Sequence, residues 1–220
     1  MSDAKAVNPG SKGRKVLLQL VLGGISGGVG MFALLSLLER QQGLTDDKTR
    51  VVVLGVALVY LLMAAFVGLG TLLPGVGART LNVECAEDLR EQRKALVIGS
   101  VTMLLAAAFL GALGLAPTPA MAGPLTQGAA TTLAIAAGAG LIIMSIRYRN
   151  LGDELMQTVA REANGIMVSL LFLVLCGKSA AAQLGYAPPL TPLALIAAFF
   201  ALYLLAMFVA IGRRGLLGTR

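Results

Sequence analysis

Six long apolar stretches, separated by short polar segments, dominate the hydrophobic pattern of the chain. Each stretch is long enough for a membrane-spanning helix, which needs about 20 largely apolar residues. None of the six contains Asp, Glu or Arg, and only the fifth contains a Lys. The pattern therefore predicts an all-α integral membrane bundle of six transmembrane helices, at residues 16–38, 51–73, 95–115, 125–146, 165–185 and 193–212.

The distribution of Lys and Arg predicts the orientation of this bundle, because cytoplasmic loops carry an excess of these residues. If residues 1–15 form a polar cytosolic leader, most basic residues fall in cytosolic segments, including a basic tail at 213–220. We therefore expect a multi-pass protein of a bacterial inner (plasma) membrane, with three in–out–in hairpins and both termini cytosolic. The first outer loop also holds Arg40, Lys48 and Arg50, but acidic residues offset them: Glu39, Asp46 and Asp47.

Two of the predicted cytosolic connections are expected to form short helical extensions of the next span. Residues 82–94 and 152–164 each begin with acidic residues and continue with good helix formers. In the second segment an apolar stripe follows helical spacing: Leu155, Val159, Ala163 and Ile166. These extensions supply the candidate residues for docking a cytosolic protein: Glu87, Asp88, Arg90 and Arg161. The alternative is that the charged faces are only solvated caps.

Composition supports the membrane assignment and narrows the chemistry. The chain is 57% hydrophobic and 13% charged, whereas soluble domains carry about 25% charged residues. It contains no His, so it has no imidazole to bind haem, zinc or copper. No cofactor or metal site is predicted, and without paired carboxylates in the spans we expect no enzyme. The net charge of +7 is scattered over span ends, which argues against direct nucleic-acid binding.

Glycines are concentrated in the first predicted span. Gly23 and Gly27 form one G-x-x-x-G pair, and Gly24 and Gly28 form another. Such pairs let another helix backbone approach closely. We therefore predict helix packing at these four glycines, within the bundle or against a partner subunit.

Three polar residues in the predicted spans form a candidate intramembrane polar site: Lys178, Tyr60 and Tyr203. A charge at the centre of a bilayer costs about 2.5–3.5 kcal/mol on insertion scales, so such residues are candidates for function. Lys178 also lies close enough to the outer end of its span for its side chain to snorkel to the surface. The sequence leaves both roles open.

Short motifs at the cytosolic segments resemble a group of functionally uncharacterised small polytopic inner-membrane proteins of alphaproteobacterial type. The motifs are Leu81-Asn82-Val83-Glu84, residues 87–93, Asp153-Glu154-Leu155-Met156, Glu162-Ala163 and residues 212–217. The resemblance implies location and topology, and it implies no catalytic or binding residue.

Two functions fit these observations. The first is a non-enzymatic interaction, assembly or regulatory subunit, which would use helix packing in the bilayer and a cytosolic helical face. Its partners would be another membrane protein or a second copy of the chain, and a cytosolic protein. The second is a small-solute transporter or channel built from repeated hairpins.

Overall fold

A computed structural model of the chain describes residues 23–36, 39, 47–72, 86–118, 123–151 and 154–214. Every element in these ranges is a helix. We number them α1 to α6: Gly23–Ser36, Lys48–Leu72, Ala86–Leu115, Gln127–Leu151, Glu154–Gln183 and Pro192–Arg213. The predicted leader and most of the predicted tail lie outside the described residues.

Five of the helices, α2 to α6, are long and apolar enough to cross a membrane. The bundle is therefore that of a multi-pass membrane protein, and the prediction of an all-α membrane bundle is confirmed. The described part of α1 is a shorter apolar helix, and the predicted span at 16–38 extends beyond it. The membrane span predicted at 16–38 therefore stays a prediction.

Two helices are much longer than their apolar stretches. α3 and α5 each have 30 residues, or about 45 Å at 1.5 Å per residue. Since the hydrocarbon core of a bilayer is about 30 Å thick, one end of each helix extends beyond it. These ends contain residues 86–94 and 154–164, where the sequence predicts helical extensions.

Helix α2 lies at the centre of the bundle and contacts α1, α3 and α6. The main core combines residues of α2, α3 and α6: Val53, Ala57, Tyr60, Ala106, Ala107, Leu110 and Ala197. Four of these seven are alanines, whose small side chains let helix backbones approach closely. Tight packing of small residues thus holds the centre of the bundle.

Glycines bring α3 close to both of its neighbours. A Cβ on Gly114 would lie 2.7 Å from Leu54 Cδ2 of α2, and one on Gly140 of α4 would lie 3.0 Å from Leu105 Cδ1. The Ser100 hydroxyl adds a link to α2, since it donates a hydrogen bond of 2.9 Å to the carbonyl of Ala64. Contacts that join the start of α2 to the end of α3 show that the two helices are antiparallel.

Helix α5 lies at the edge of the bundle and packs mainly on α6. A second, smaller core joins the two helices through Val159, Ala163 and Ala210. Val159 and Ala163 belong to the apolar stripe that the sequence predicts, and Ile166 packs beside them. Leu155, the first residue of the stripe, is exposed, because it precedes the part of α5 that this core covers.

Candidate functional site

The four predicted packing glycines lie in the first half of α1, where no described residue covers them. A Cβ added to Gly23, Gly24, Gly27 or Gly28 would meet no described atom within 4 Å. α1 instead contacts α2 through its second half, where a Cβ on Gly30 would lie 3.3 Å from Leu58 Cδ2. Within the described residues the four glycines therefore face open space, and their packing against another helix stays a prediction.

Large apolar side chains flank this glycine face. Ile25, Val29 and Phe32 are each more than 60% exposed. In a bilayer such residues contact lipid tails or another transmembrane helix. The glycines with these side chains form the surface that we call the α1 glycine face.

The structure separates Lys178 from the two tyrosines of the predicted intramembrane polar site. Tyr60 on α2 is buried, and its ring packs edge-on against Phe200 of α6 with centroids 5.7 Å apart. Tyr203 on α6 lies within electrostatic range of Tyr60. Lys178 is on α5, is exposed, and forms no hydrogen bond or ion pair with the described residues. It lies five residues before the end of α5, which is about 7.5 Å along the helix and within reach of snorkelling.

The Tyr60 hydroxyl joins α2 to α6. It donates a hydrogen bond of 3.0 Å to the backbone carbonyl of Phe200. A buried hydroxyl needs such a partner, because leaving it unpaired in an apolar environment costs free energy. The Tyr60 hydroxyl therefore has a structural role, as a hydrogen bond between α2 and α6.

Replacing Tyr60 with phenylalanine should therefore lower the free energy of unfolding in detergent by about 1 kcal/mol, the value of one interhelical hydrogen bond. Tyr203→Phe is the matched control, since the Tyr203 hydroxyl forms no hydrogen bond with the described residues. Denaturant titration of the two purified variants measures the difference. Equal losses would contradict the assigned role of the Tyr60 hydroxyl.

The predicted docking residues occupy the extended ends of α3 and α5. Glu87, Asp88 and Arg90 lie in the first turns of α3, and their side chains lie outside the described residues. Arg161 on α5 is exposed and has no ion-pair partner among the described side chains. Whether these residues bind a partner stays a prediction.

Next to Arg161, an ion-pair cluster that the sequence did not reveal joins α5 to the end of α6. Glu162 accepts a 2.9 Å hydrogen bond from Arg214 Nε, and its other oxygen lies 3.5 Å from Arg213 Nη1. Glu162 and the two arginines belong to motifs that carry the resemblance. Their pairing spans about 50 positions, so no local spacing could predict it. The cluster links the end of α6 to α5.

A second missed feature is Arg50, near the start of α2. Its side chain is 1% exposed, its Nε lies 3.6 Å from Asp47 Oδ2, and its Nη1 has no hydrogen-bond partner. Asp47 also caps α2, because its Oδ1 accepts hydrogen bonds from the backbone amides of Thr49 and Arg50. Asp47 thus balances a buried cation and closes the helix end. The sequence signal that could have indicated this ion pair is an Asp three residues before an Arg at the start of an apolar run.

Two grooves between the described helices have mostly apolar linings. One, of about 350 Å³, has a wholly apolar lining from α3, α5 and α6: Phe109, Leu171, Leu175, Leu195, Ile196, Phe199 and Phe200. The other, of about 280 Å³, lies between α2 and α6 and includes Lys48 at its rim. Among the described residues no group of three or more His, Cys, Asp or Glu is placed to hold a metal ion.

Comparisons of the chain with protein-family models, curated proteins and solved structures found no match. The resemblance to small inner-membrane proteins therefore stays a prediction. The fold itself defines the class of protein, which is a multi-pass helical membrane protein with five helices long enough to span the bilayer.

Proposed function

We propose that the chain is a non-enzymatic subunit of the bacterial inner membrane that binds another membrane protein through the α1 glycine face. In this proposal both termini are cytosolic, and the extended ends of α3 and α5 form a second, cytosolic surface. The protein acts in interaction, assembly or regulation, and carries out no chemistry of its own.

The uncovered α1 glycine face is the observation that supports this function most. Two G-x-x-x-G pairs favour close helix contact, and within the described residues no helix occupies that position. The large side chains of Ile25, Val29 and Phe32 project beside a flat glycine surface. A helix that packed there would gain both backbone contact and interdigitated side chains.

The proposed cytosolic surface has weaker support than the α1 glycine face, and that support comes from its positive charge. Arg161 is exposed and unpaired, whereas neighbouring Glu162 is occupied by Arg213 and Arg214. The end of the bundle formed by these four residues has an excess of positive charge. An acidic surface of a cytosolic protein is the complementary partner.

The transporter alternative has less support. A transport path needs a polar cavity near the middle of the bundle, whereas the Tyr60 hydroxyl is occupied by Phe200. Lys178 lies on α5, which packs mainly on α6. It forms no hydrogen bond with Tyr60 or Tyr203. A solute flux in proteoliposomes that Tyr60→Phe or Lys178→Gln abolishes would favour the transporter.

The test of the proposed function replaces glycines with leucine and follows partners in mild detergent. The membrane partner should co-purify with the unaltered chain. With Gly24→Leu or Gly27→Leu its recovered amount should fall at least tenfold, because leucine prevents close backbone approach. Gly165→Leu and Gly177→Leu are matched controls on α5, where an added Cβ also meets nothing within 4 Å. They should fold equally well and retain the partner.

Quantitative mass spectrometry of the purified complexes distinguishes the outcomes. A second copy of the chain and a different membrane protein are both acceptable partners. Retention of every co-purified protein by the two α1 variants would overturn the assignment of this face.

A further inference from the structure

The groove between α2 and α6 combines an apolar floor with a cation at one end. Its α2 wall is formed by Lys48, Thr49 and Val52. Its α6 wall consists of four alanines with short side chains: Ala194, Ala197, Ala198 and Ala201. The groove has a volume of about 280 Å³.

The cation belongs to Lys48, the first residue of α2, at the level of the membrane surface. α2 has 25 residues, so it is about 38 Å long and exceeds the hydrocarbon core of about 30 Å. Its first residue therefore reaches the headgroup region. α6 begins at the same end, with Pro192 in its first turn and Thr191 as its cap.

Within the described residues, no carboxylate pairs with the charge of Lys48. Asp47 is the adjacent carboxylate, but it pairs with Arg50 and accepts hydrogen bonds from two backbone amides. Lys48 is exposed and forms no ion pair with the described residues. The first turns of α2 and α6 also contribute the positive ends of two helix dipoles.

The geometry points to a bound bilayer phospholipid, with one acyl chain in the alanine-lined groove and its phosphate on Lys48. A phospholipid matches both parts of the surface, whereas a free phosphate would leave the apolar floor uncovered. The site is distinct from the α1 glycine face and does not depend on the proposed function.

Native mass spectrometry of the full chain, released from phosphatidylglycerol nanodiscs, tests this site. The unaltered chain should retain one phosphatidylglycerol. Lys48→Gln should weaken retention about fivefold, which is the effect of one lysine at an anionic membrane surface. Ala201→Leu should abolish retention, because the larger side chain fills the groove. Ala201 is exposed, so the leucine needs no rearrangement of the core.

Each variant has a matched control away from the groove. Lys178→Gln removes another exposed lysine, and Ala65→Leu enlarges another exposed alanine on α2. Both controls should retain the lipid. The unaltered chain should also bind phosphatidylglycerol when it is purified in another lipid and then transferred to phosphatidylglycerol nanodiscs. Repeating the measurement with diacylglycerol, which lacks phosphate, should give weak retention that Lys48→Gln does not change.

Three results would overturn the proposal. The first is unchanged phosphatidylglycerol retention by Lys48→Gln. The second is equal loss with Lys178→Gln. The third is that the Ala201→Leu variant loses a bound protein chain and keeps its lipid. Because Lys48 is exposed at the helix start, Lys48→Gln keeps the test decisive even if Ala201→Leu fails to fold.

Discussion

Replacing Asp47 with alanine is expected to lower the free energy of unfolding by about 3 kcal/mol. Removal of one partner of a buried ion pair costs about 3–5 kcal/mol, and Arg50 is 1% exposed. The lower end of this range applies because Asp47 itself is 40% exposed. Denaturant titration of the purified protein in mixed micelles measures the loss.

Two further variants separate the roles of Asp47. Asp47→Asn keeps an oxygen that can accept the amide hydrogen bonds of the helix cap, so it should lose about 1 kcal/mol less than Asp47→Ala. The double variant Asp47→Ala, Arg50→Met should regain most of the stability, because an apolar pair often replaces a buried ion pair without loss. A double variant as unstable as Asp47→Ala alone would contradict the role of the buried charge.

Replacing Gly114 with valine is expected to cost about 2 kcal/mol or more. Overpacking a well-packed core typically costs about 1–3 kcal/mol. An added Cβ would lie 2.7 Å from Leu54 Cδ2 and 2.8 Å from Leu54 Cγ, and Leu54 is itself buried. Leu54 cannot move without disturbing the contact between α2 and α3. The same titration in mixed micelles measures this loss.

Gly111→Val is the matched control, three residues earlier in the same helix. A Cβ at Gly111 would meet nothing within 4 Å, so the variant should be as stable as the unaltered chain within about 0.5 kcal/mol. Similar destabilisation by both substitutions would mean that the contact with Leu54 does not determine the result.

The apolar runs predicted the helices well because a bilayer span is encoded locally. About 20 apolar residues without charge suffice for the prediction, and five such helices are found. The start of α5 also follows the prediction, because the helix begins at Glu154, inside the predicted extension at 152–164. The stripe at Val159 and Ala163 packs this extension on α6.

Contacts between distant segments could not be predicted in this way. The G-x-x-x-G spacing at Gly23 and Gly27 indicates a surface for close approach, but it does not identify the neighbour. Among the described residues, close approaches between helices occur at glycines whose spacing has no such signature: Gly30, Gly68, Gly114 and Gly140. Which glycine faces a neighbour depends on the rotation of each helix in the bundle.

Polar residues show the same limit. Arg50 lies one residue before the predicted span at 51–73, and the sequence placed it in a solvated loop. In the folded bundle its side chain is 1% exposed, and this burial depends on tertiary packing. Glu162 gained its role from Arg213 and Arg214, which reach it from the far end of another helix.

Photo-crosslinking in native membranes tests most directly whether the α1 glycine face binds another protein. A photoreactive residue at position 28 should give a discrete protein adduct, whereas one at position 177, on the exposed side of α5, should react only with lipid. Gly28 and Gly177 are matched, because an added Cβ meets nothing within 4 Å at either position. Lipid adducts alone at both positions would contradict the proposed function.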